Sequence, residues 1–308
     1  MGKIAFLFAG QGAQYAGMGK SLYEGSPAAR FALDTAEQLR PGTLLQCFEG
    51  TKDELSQTLN TQPCLMAVNY ACAAALMEAG VKPDGLAGFS LGEIAALPVS
   101  GLLSFGDAFR LVLRRAALMQ ECAEQTQGGM IAVLKLSDAQ VEALCAAHNA
   151  YAVNYNCPGQ VVCALRKEDM QTFTDEVKAM GGRALPLAVN GGFHSPMMQK
   201  AATGMREYAA ALPFQEPAIP LYADATCERY TKADAAMLLG AQVESPVRFT
   251  KLIQTMQNDG YDQFVEVGAG KTLSGLLDKI GNVTCVGNVD SMEGLQQTLS
   301  RIKGENQC

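Results

Sequence analysis

Gly88-Phe89-Ser90-Leu91-Gly92 constrains this chain more than any other stretch. It stands between a short apolar run and a helix-like run, which is the setting of a nucleophile elbow. The glycines on either side let the backbone turn sharply from strand to helix, so that the serine hydroxyl stands exposed above the sheet edge. The Leu91 amide then points from the helix start towards negative charge forming on a substrate oxygen. The same pattern also occurs as an ordinary glycine-rich turn opening a helix, so other residues must decide between the two.

Composition narrows the classes. At 308 residues, one large domain with an inserted or appended smaller one is expected. Apolar residues make up 48% and charged residues 18%, a globular balance. A net charge of -7 argues against nucleic acid, because no basic surplus exists to neutralise phosphates. The ten cysteines are scattered, with no Cys-x-x-Cys pair and no His/Cys grouping at metal-ligand spacing. Apolar neighbours of Cys72, Cys145 and Cys163 indicate buried thiols in a reducing compartment. Lys3 is followed only by the short apolar run Ile4 to Ala9, unlike a signal peptide, and Asn69 and Glu78 interrupt the longest apolar stretch. A soluble, cytoplasmic protein is expected.

Along the chain, Ile4–Ala9 reads as a buried strand, Gln62–Ala79 as a long helix stopped by Gly80, and Gly85–Gly88 as a short strand before the elbow. Helices follow over Leu91–Val99 and Phe105–Cys122. The middle then changes character: a strand at Met130–Leu136, a helix capped by Ser137, strands at Tyr151–Asn156 and Gln160–Leu165, a helix over Lys167–Met180 and a strand at Ala184–Val189. This β-α-β-β-α-β order is a ferredoxin-like unit, placed at residues 127–190 and inserted into a larger α/β unit of residues 1–126 and 191–308. A strand at Ile219–Ala223, a helix near Phe249–Asp259, a strand at Gln263–Val267 and a helix at Thr272–Ile280 complete the larger unit, whose mostly parallel sheet carries helices on both faces.

A serine hydroxyl is a weak nucleophile until a base takes its proton, and histidine is the usual base near neutral pH. The chain has two histidines. His148 ends an amphipathic helix, where an imidazole serves as a cap. His194 sits in Asn190-Gly191-Gly192-Phe193-His194-Ser195-Pro196, a loop leading back into the larger unit, and is the base by elimination. The third partner stays open: Asp224, Glu228 and Glu244 follow in the chain without a presenting motif, and a backbone carbonyl could equally accept the Nδ1 proton. Gly268-Ala269-Gly270-Lys271-Thr272 ends like a phosphate-binding loop, but Val265 stands where its first glycine belongs. Tyr15 likewise breaks a dinucleotide fingerprint begun at Gly10. Met119 and the pair Met197-Met198 read as core.

Six motifs occur in order: Gly10-Gln11-Gly12-Ala13-Gln14, Gly88-Phe89-Ser90-Leu91-Gly92-Glu93, Arg115 before Met119-Gln120, Asn154-x-x-x-Pro158-Gly159-Gln160, Phe193-His194-Ser195, and Glu266-Val267-Gly268-x-Gly270-Lys271. Together they closely resemble the malonyl-CoA:acyl carrier protein transacylases, the acyltransferases of bacterial fatty-acid synthesis, over residues 4 to 295. The resemblance implies an α/β-hydrolase-like large subdomain with a ferredoxin-like small one. It implies that Ser90 is malonylated, that His194 is its base, that the Gln11 and Leu91 amides form the oxyanion hole, and that Arg115 grips the malonyl carboxylate. Gln242, in Gln242-x-x-Ser245-Pro246-Val247, aligns with the residue whose main-chain carbonyl orients the histidine. Phe193 resembles malonyl-selective members rather than methylmalonyl-selective ones. Phe89 departs from the family, which usually has histidine there, and so touches acyl preference rather than proton transfer.

The implied substrates are malonyl-CoA and acyl carrier protein, with no metal or redox cofactor. The acidic carrier would dock on a local basic patch, for which Lys200, Arg206, Lys251 and Lys271 are candidates. The alternatives are a serine thioesterase or hydrolase, a trans-acting polyketide acyltransferase, and a non-catalytic carrier-binding protein. Arg115, without the family, reads as a helix-surface cation like Arg114.

Overall fold

Strand β1 (Lys3–Phe8) alternates its side chains between two hydrophobic cores: Phe6 and Phe8 enter one, Ala5 and Leu7 the other. A strand buried on both faces in this way belongs in the middle of a parallel sheet. The computed structural model, which describes residues 2–304, places it there. β1 pairs in parallel with β2 (Gly85–Gly88) on one side and β8 (Tyr261–Val267) on the other. β7 (Leu221–Tyr222) and β9 (Thr284–Val289) flank them, giving the order β7-β2-β1-β8-β9. The helices Thr58–Glu78, Leu91–Ser100 and Phe105–Thr126 cover one face, and Phe249–Asn258 and Thr272–Ile280 the other.

The second sheet contains β3 (Gly128–Leu134), β4 (Tyr151–Cys157), β5 (Gln160–Arg166) and β6 (Arg183–Pro186), all antiparallel, in the order β4-β5-β3-β6. With the helices Asp138–Ala147 and Met170–Ala179 this is the β-α-β-β-α-β arrangement expected of the sequence. Ile131, Val133, Val161 and Cys163 pack under those helices, whereas Met130, Ala132, Val162 and Ala164 face the large core. The small sheet therefore turns one face towards the parallel sheet, and a crevice runs between them. Backbone bonds from Tyr155 N to Val247 O and from Val247 N to Val153 O, both 2.9 Å, tie the two layers together.

The sequence reading lacked strand β9 and the helices Pro27–Leu39, Gln199–Ala210 and Met292–Ile302, and three of the elements it did place have other bounds around a proline. The long helix begins at Thr58, not Gln62, with Pro63 inside it. Pro63 cannot donate to Leu59, but Leu59 is exposed, so water can satisfy its carbonyl. β7 shrinks to two residues, because Pro220 has no amide to donate and Ala223 N turns to Glu228 O. β6 is regular only as far as Pro186, although Leu187 N still donates to Met130 O at 2.9 Å. Among the described residues, no helix is long and apolar enough to cross a membrane.

Candidate active site

The elbow is built by close approach. A Cβ on Gly92 would lie 2.0 Å from the Phe8 carbonyl oxygen, and one on Gly88 would lie 2.0 Å from the Glu93 nitrogen. The helix Leu91–Ser100 can therefore start directly above the ends of β1 and β2 only with glycine at both positions. Ser90, between them, has φ 54 and ψ -103, a conformation that side-chain-bearing residues rarely adopt.

His194 approaches from the loop after β6, also at positive φ (61), and is held by its own amide donating to Val243 O at 3.1 Å. Its Nε2 lies 2.7 Å from Ser90 Oγ. Its Nδ1 faces two carbonyls, Gln242 O at 2.9 Å and Ser245 O at 3.2 Å. Carbonyls only accept, so the Nδ1 carries the proton and Nε2 is free to take one from the serine. Burial, and then the positive charge of Arg115, lower the imidazole to about 4, so it stays a neutral base throughout the neutral range. The third partner left open by the sequence is thus filled by carbonyls: Asp224, Glu228 and Glu244 do not meet the ring among its hydrogen bonds.

Arg115 is buried, in contrast to its exposed neighbour Arg114 on the same helix. Its Nη2 donates to Ser90 Oγ at 3.0 Å and to Gln242 Oε1 at 2.9 Å, while its Nε is buried without a partner. Desolvation lowers it to about 10, which leaves it charged at neutral pH. A buried guanidinium with an idle N–H is prepared for an incoming anion. Gln242 does more than the sequence suggested: besides its carbonyl on His194, its side-chain amide donates to Ser90 O at 2.8 Å.

Ser90 and His194 open into a chamber of about 70 Å³, lined also by Gln11, Phe89, Met119, Met130 and Phe193. Gln11, Phe89, Asn154, Leu187 and Val189 are shared with a larger apolar cavity of about 690 Å³ that runs along the crevice. Among the described residues, the Gln11 and Leu91 amides have no hydrogen-bond acceptor. Phe89 also packs against Phe249, at 5.6 Å between ring centres, and so against the second hydrophobic core.

Other sequence candidates lie elsewhere. His148 caps its helix and meets Glu176 at 2.8 Å. The amides of Leu273 and Ser274, which a phosphate would need, are taken by Glu266 at 3.0 and 2.8 Å. Arg206 is paired with Glu244 at 2.9 Å. Two residues beside Ser90 take a part the sequence reading did not give them, Glu93, placed there only within the elbow motif, and Asp224, weighed there as a partner of His194: Ser90 N donates to Asp224 Oδ2 at 2.8 Å, and Asp224 N donates to Glu93 Oε2. The Gly-Glu step after the serine was visible; a partner 134 residues away was not.

The family model described as acyl transferase domain matches residues 5–282. A malonyl CoA-acyl carrier protein transacylase of Bacillus subtilis is 36% identical over 99% of both chains. The crystal structure of the transacylase of that name from Clostridium perfringens superposes with a TM-score of 0.93 at 34% identity, over 98% of each chain. A malonyl-transacylase solved in complex with a type II PKS acyl-carrier protein reaches 0.93 at 30% identity, over 98% of this chain and 99% of that one. The chain belongs to the acyl transferase family, among the malonyl CoA-acyl carrier protein transacylases.

Proposed function

We propose that this enzyme moves a malonyl group from malonyl-CoA to the phosphopantetheine thiol of acyl carrier protein, through a malonyl ester on Ser90. One observation carries the reading: the Ser90 hydroxyl sits 2.7 Å from a neutral His194 nitrogen and 3.0 Å from the Arg115 guanidinium. The first contact activates an oxygen nucleophile, and the second places a fixed cation where the acyl chain of the ester would lie.

In the first half-reaction Ser90 Oγ attacks the thioester carbonyl as its proton passes to His194 Nε2. The tetrahedral oxyanion rests on the Gln11 and Leu91 amides, both free to donate. The C–S bond breaks, and the CoA sulfur leaves with the proton held by His194. In the second half the carrier thiol gives its proton to His194, its sulfur attacks the ester, and Ser90 recovers the proton as the C–O bond breaks. The chemistry runs on proton transfer and thioester exchange alone. Gln242 O steadies the imidazole through both halves, and Phe193 closes the chamber against a branched acyl group. The 690 Å³ cavity takes the pantetheine arm of either thioester.

On this reading residues 1–126 and 191–308 form the catalytic unit, and residues 127–190 form the wall of the crevice. The nine cysteines among the described residues are all free thiols, which supports a reducing compartment and so the cytoplasm. Incubation with labelled malonyl-CoA tests the function: wild-type protein gains one malonyl group by intact mass and passes it to carrier protein, and Ser90→Ala gains none. Free malonate as the dominant product with carrier present would make the enzyme a hydrolase instead.

A further inference from the structure

The elbow is held from behind by groups that the acyl-transfer steps leave unused. Ser90 sits in a strained backbone conformation, and both of its backbone groups are taken by side chains from the returning half of the chain. Its N–H donates to Asp224 Oδ2 and its C=O accepts from Gln242 Nε2, each at 2.8 Å. Asp224 is fully buried, and its second oxygen, Oδ1, has no hydrogen-bond partner. Beside it is a second buried carboxyl, Glu93, which accepts the Asp224 amide on Oε2 and the Tyr230 hydroxyl on Oε1. Arg115 is the cation facing both carboxyls, while Tyr230 and Cys227 are the other titratable groups within their field and His194 stands beyond the guanidinium.

Two carboxylates in contact inside a protein do not both stay ionised, because like charges repel strongly where water is excluded. One cation cannot balance two such charges and also receive a substrate carboxylate. We propose that Asp224 is the positioning residue of the elbow: with Glu93 it forms a carboxyl pair sharing one proton, which clamps the Ser90 amide and limits the negative charge facing Arg115 to one before the malonyl carboxylate arrives. The electrostatics of the two carboxyls agree. Burial, then Glu93, raise Asp224 well above the usual carboxylate range, and burial raises Glu93 to about 7.

The consequence is particular to an anionic acyl group. As pH rises and the pair gives up protons, its charge competes with malonyl for Arg115, so kcat/KM for malonyl-CoA falls. Asparagine at position 224 keeps an oxygen for the Ser90 amide but cannot ionise, so Glu93 alone titrates and the negative charge facing Arg115 never exceeds one. The inference rests on the acyl-serine reading, and wild-type turnover in the same assay tests that reading separately.

The experiment measures kcat and KM for malonyl-CoA with carrier protein between pH 6 and 9 for wild type, Asp224→Asn and Asp224→Ala. The expected result is an alkaline decline of at least threefold in wild-type kcat/KM that is clearly smaller in Asp224→Asn, where one carboxyl is left to titrate, and a kcat of that variant at pH 7 within about threefold of wild type. Asp224→Ala loses at least tenfold in kcat with little change in KM. Wild-type kcat in Asp224→Ala, equal losses in the two variants, or superimposable pH profiles of wild type and Asp224→Asn would each overturn the proposal. Should the alanine variant not fold, the profile of the asparagine variant decides alone. A wild-type enzyme that fails to transfer malonyl at all would instead sink the functional reading.

Discussion

Arg115 stands one residue from an exposed arginine, yet its own guanidinium is sealed against the Ser90 hydroxyl, with one N–H idle. A buried charge that loses its partner costs about 3–5 kcal/mol, so a substrate carboxylate meeting no guanidinium is heavily penalised. Arg115→Ala is therefore expected to lower kcat/KM for malonyl-CoA by roughly two to three orders of magnitude, since about 1.4 kcal/mol is tenfold. Acetyl-CoA brings no carboxylate, and its slow transfer should fall far less. Kinetics with both thioesters checks this, and equal losses would remove Arg115 from acyl recognition. These residues could be read from the sequence because chemistry restricts them: one serine in an elbow, and two histidines of which one already caps a helix. Asp224 could not, since nothing around it in the chain marks a carboxyl whose partner is an amide 134 residues earlier. The same distance hid the side chain of Gln242, of which the sequence reading used only the carbonyl.

Among the elements, the strand-elbow-helix unit shows why two glycines flank the serine. Gly92 crosses the end of β1 so closely that a methyl group would overlap the Phe8 carbonyl, which is backbone and cannot swing aside. Gly92→Ala must push the helix Leu91–Ser100 off the sheet, and overpacking of this kind costs about 1–3 kcal/mol. The helix carries the Leu91 amide and the Glu93 carboxyl, so activity should fall further than stability does. Thermal unfolding and malonylation rate, measured on the same sample, check the pair of effects; an unchanged Tm and rate would show that the helix start is looser than its packing indicates. The periodic segments around this unit were legible because strand and helix patterns differ in period. The ends were not: Pro63 within a helix and Pro220 at a strand end act through hydrogen bonds whose partners come from elsewhere in the fold. The pair of strands around Cys157-Pro158-Gly159 came out within a residue, because a turn with glycine at positive φ (74) announces itself locally.

For the whole molecule, the site couples stability to pH through groups of opposite sign, His194 on one side and the carboxyls Glu93 and Asp224 on the other. His194 is lowered from 6.5 to about 4, so its contribution is present above pH 6.5 and is lost as pH falls towards 4. Glu93 is raised from 4.5 to about 7, so its contribution is present below pH 4.5 and is lost as pH rises through 7. Between these limits the folded protein keeps a proton on Glu93 while the unfolded chain keeps one on His194, and these two dependences oppose each other. Glu93→Gln removes one side of that balance. Each pK unit is about 1.4 kcal/mol, and the proton on Glu93 accounts for on the order of 2 kcal/mol between pH 7 and pH 5. The variant should then lose stability relative to wild type as pH is lowered from 7 to 5, by several degrees in Tm for a chain of this length. Thermal melts of both proteins at the two pH values read this difference directly, and surface carboxylates, common to both, drop out of it. Parallel Tm curves for wild type and Glu93→Gln would mean that Glu93 is ionised in the folded protein throughout this range, with Arg115 rather than a shared proton neutralising it.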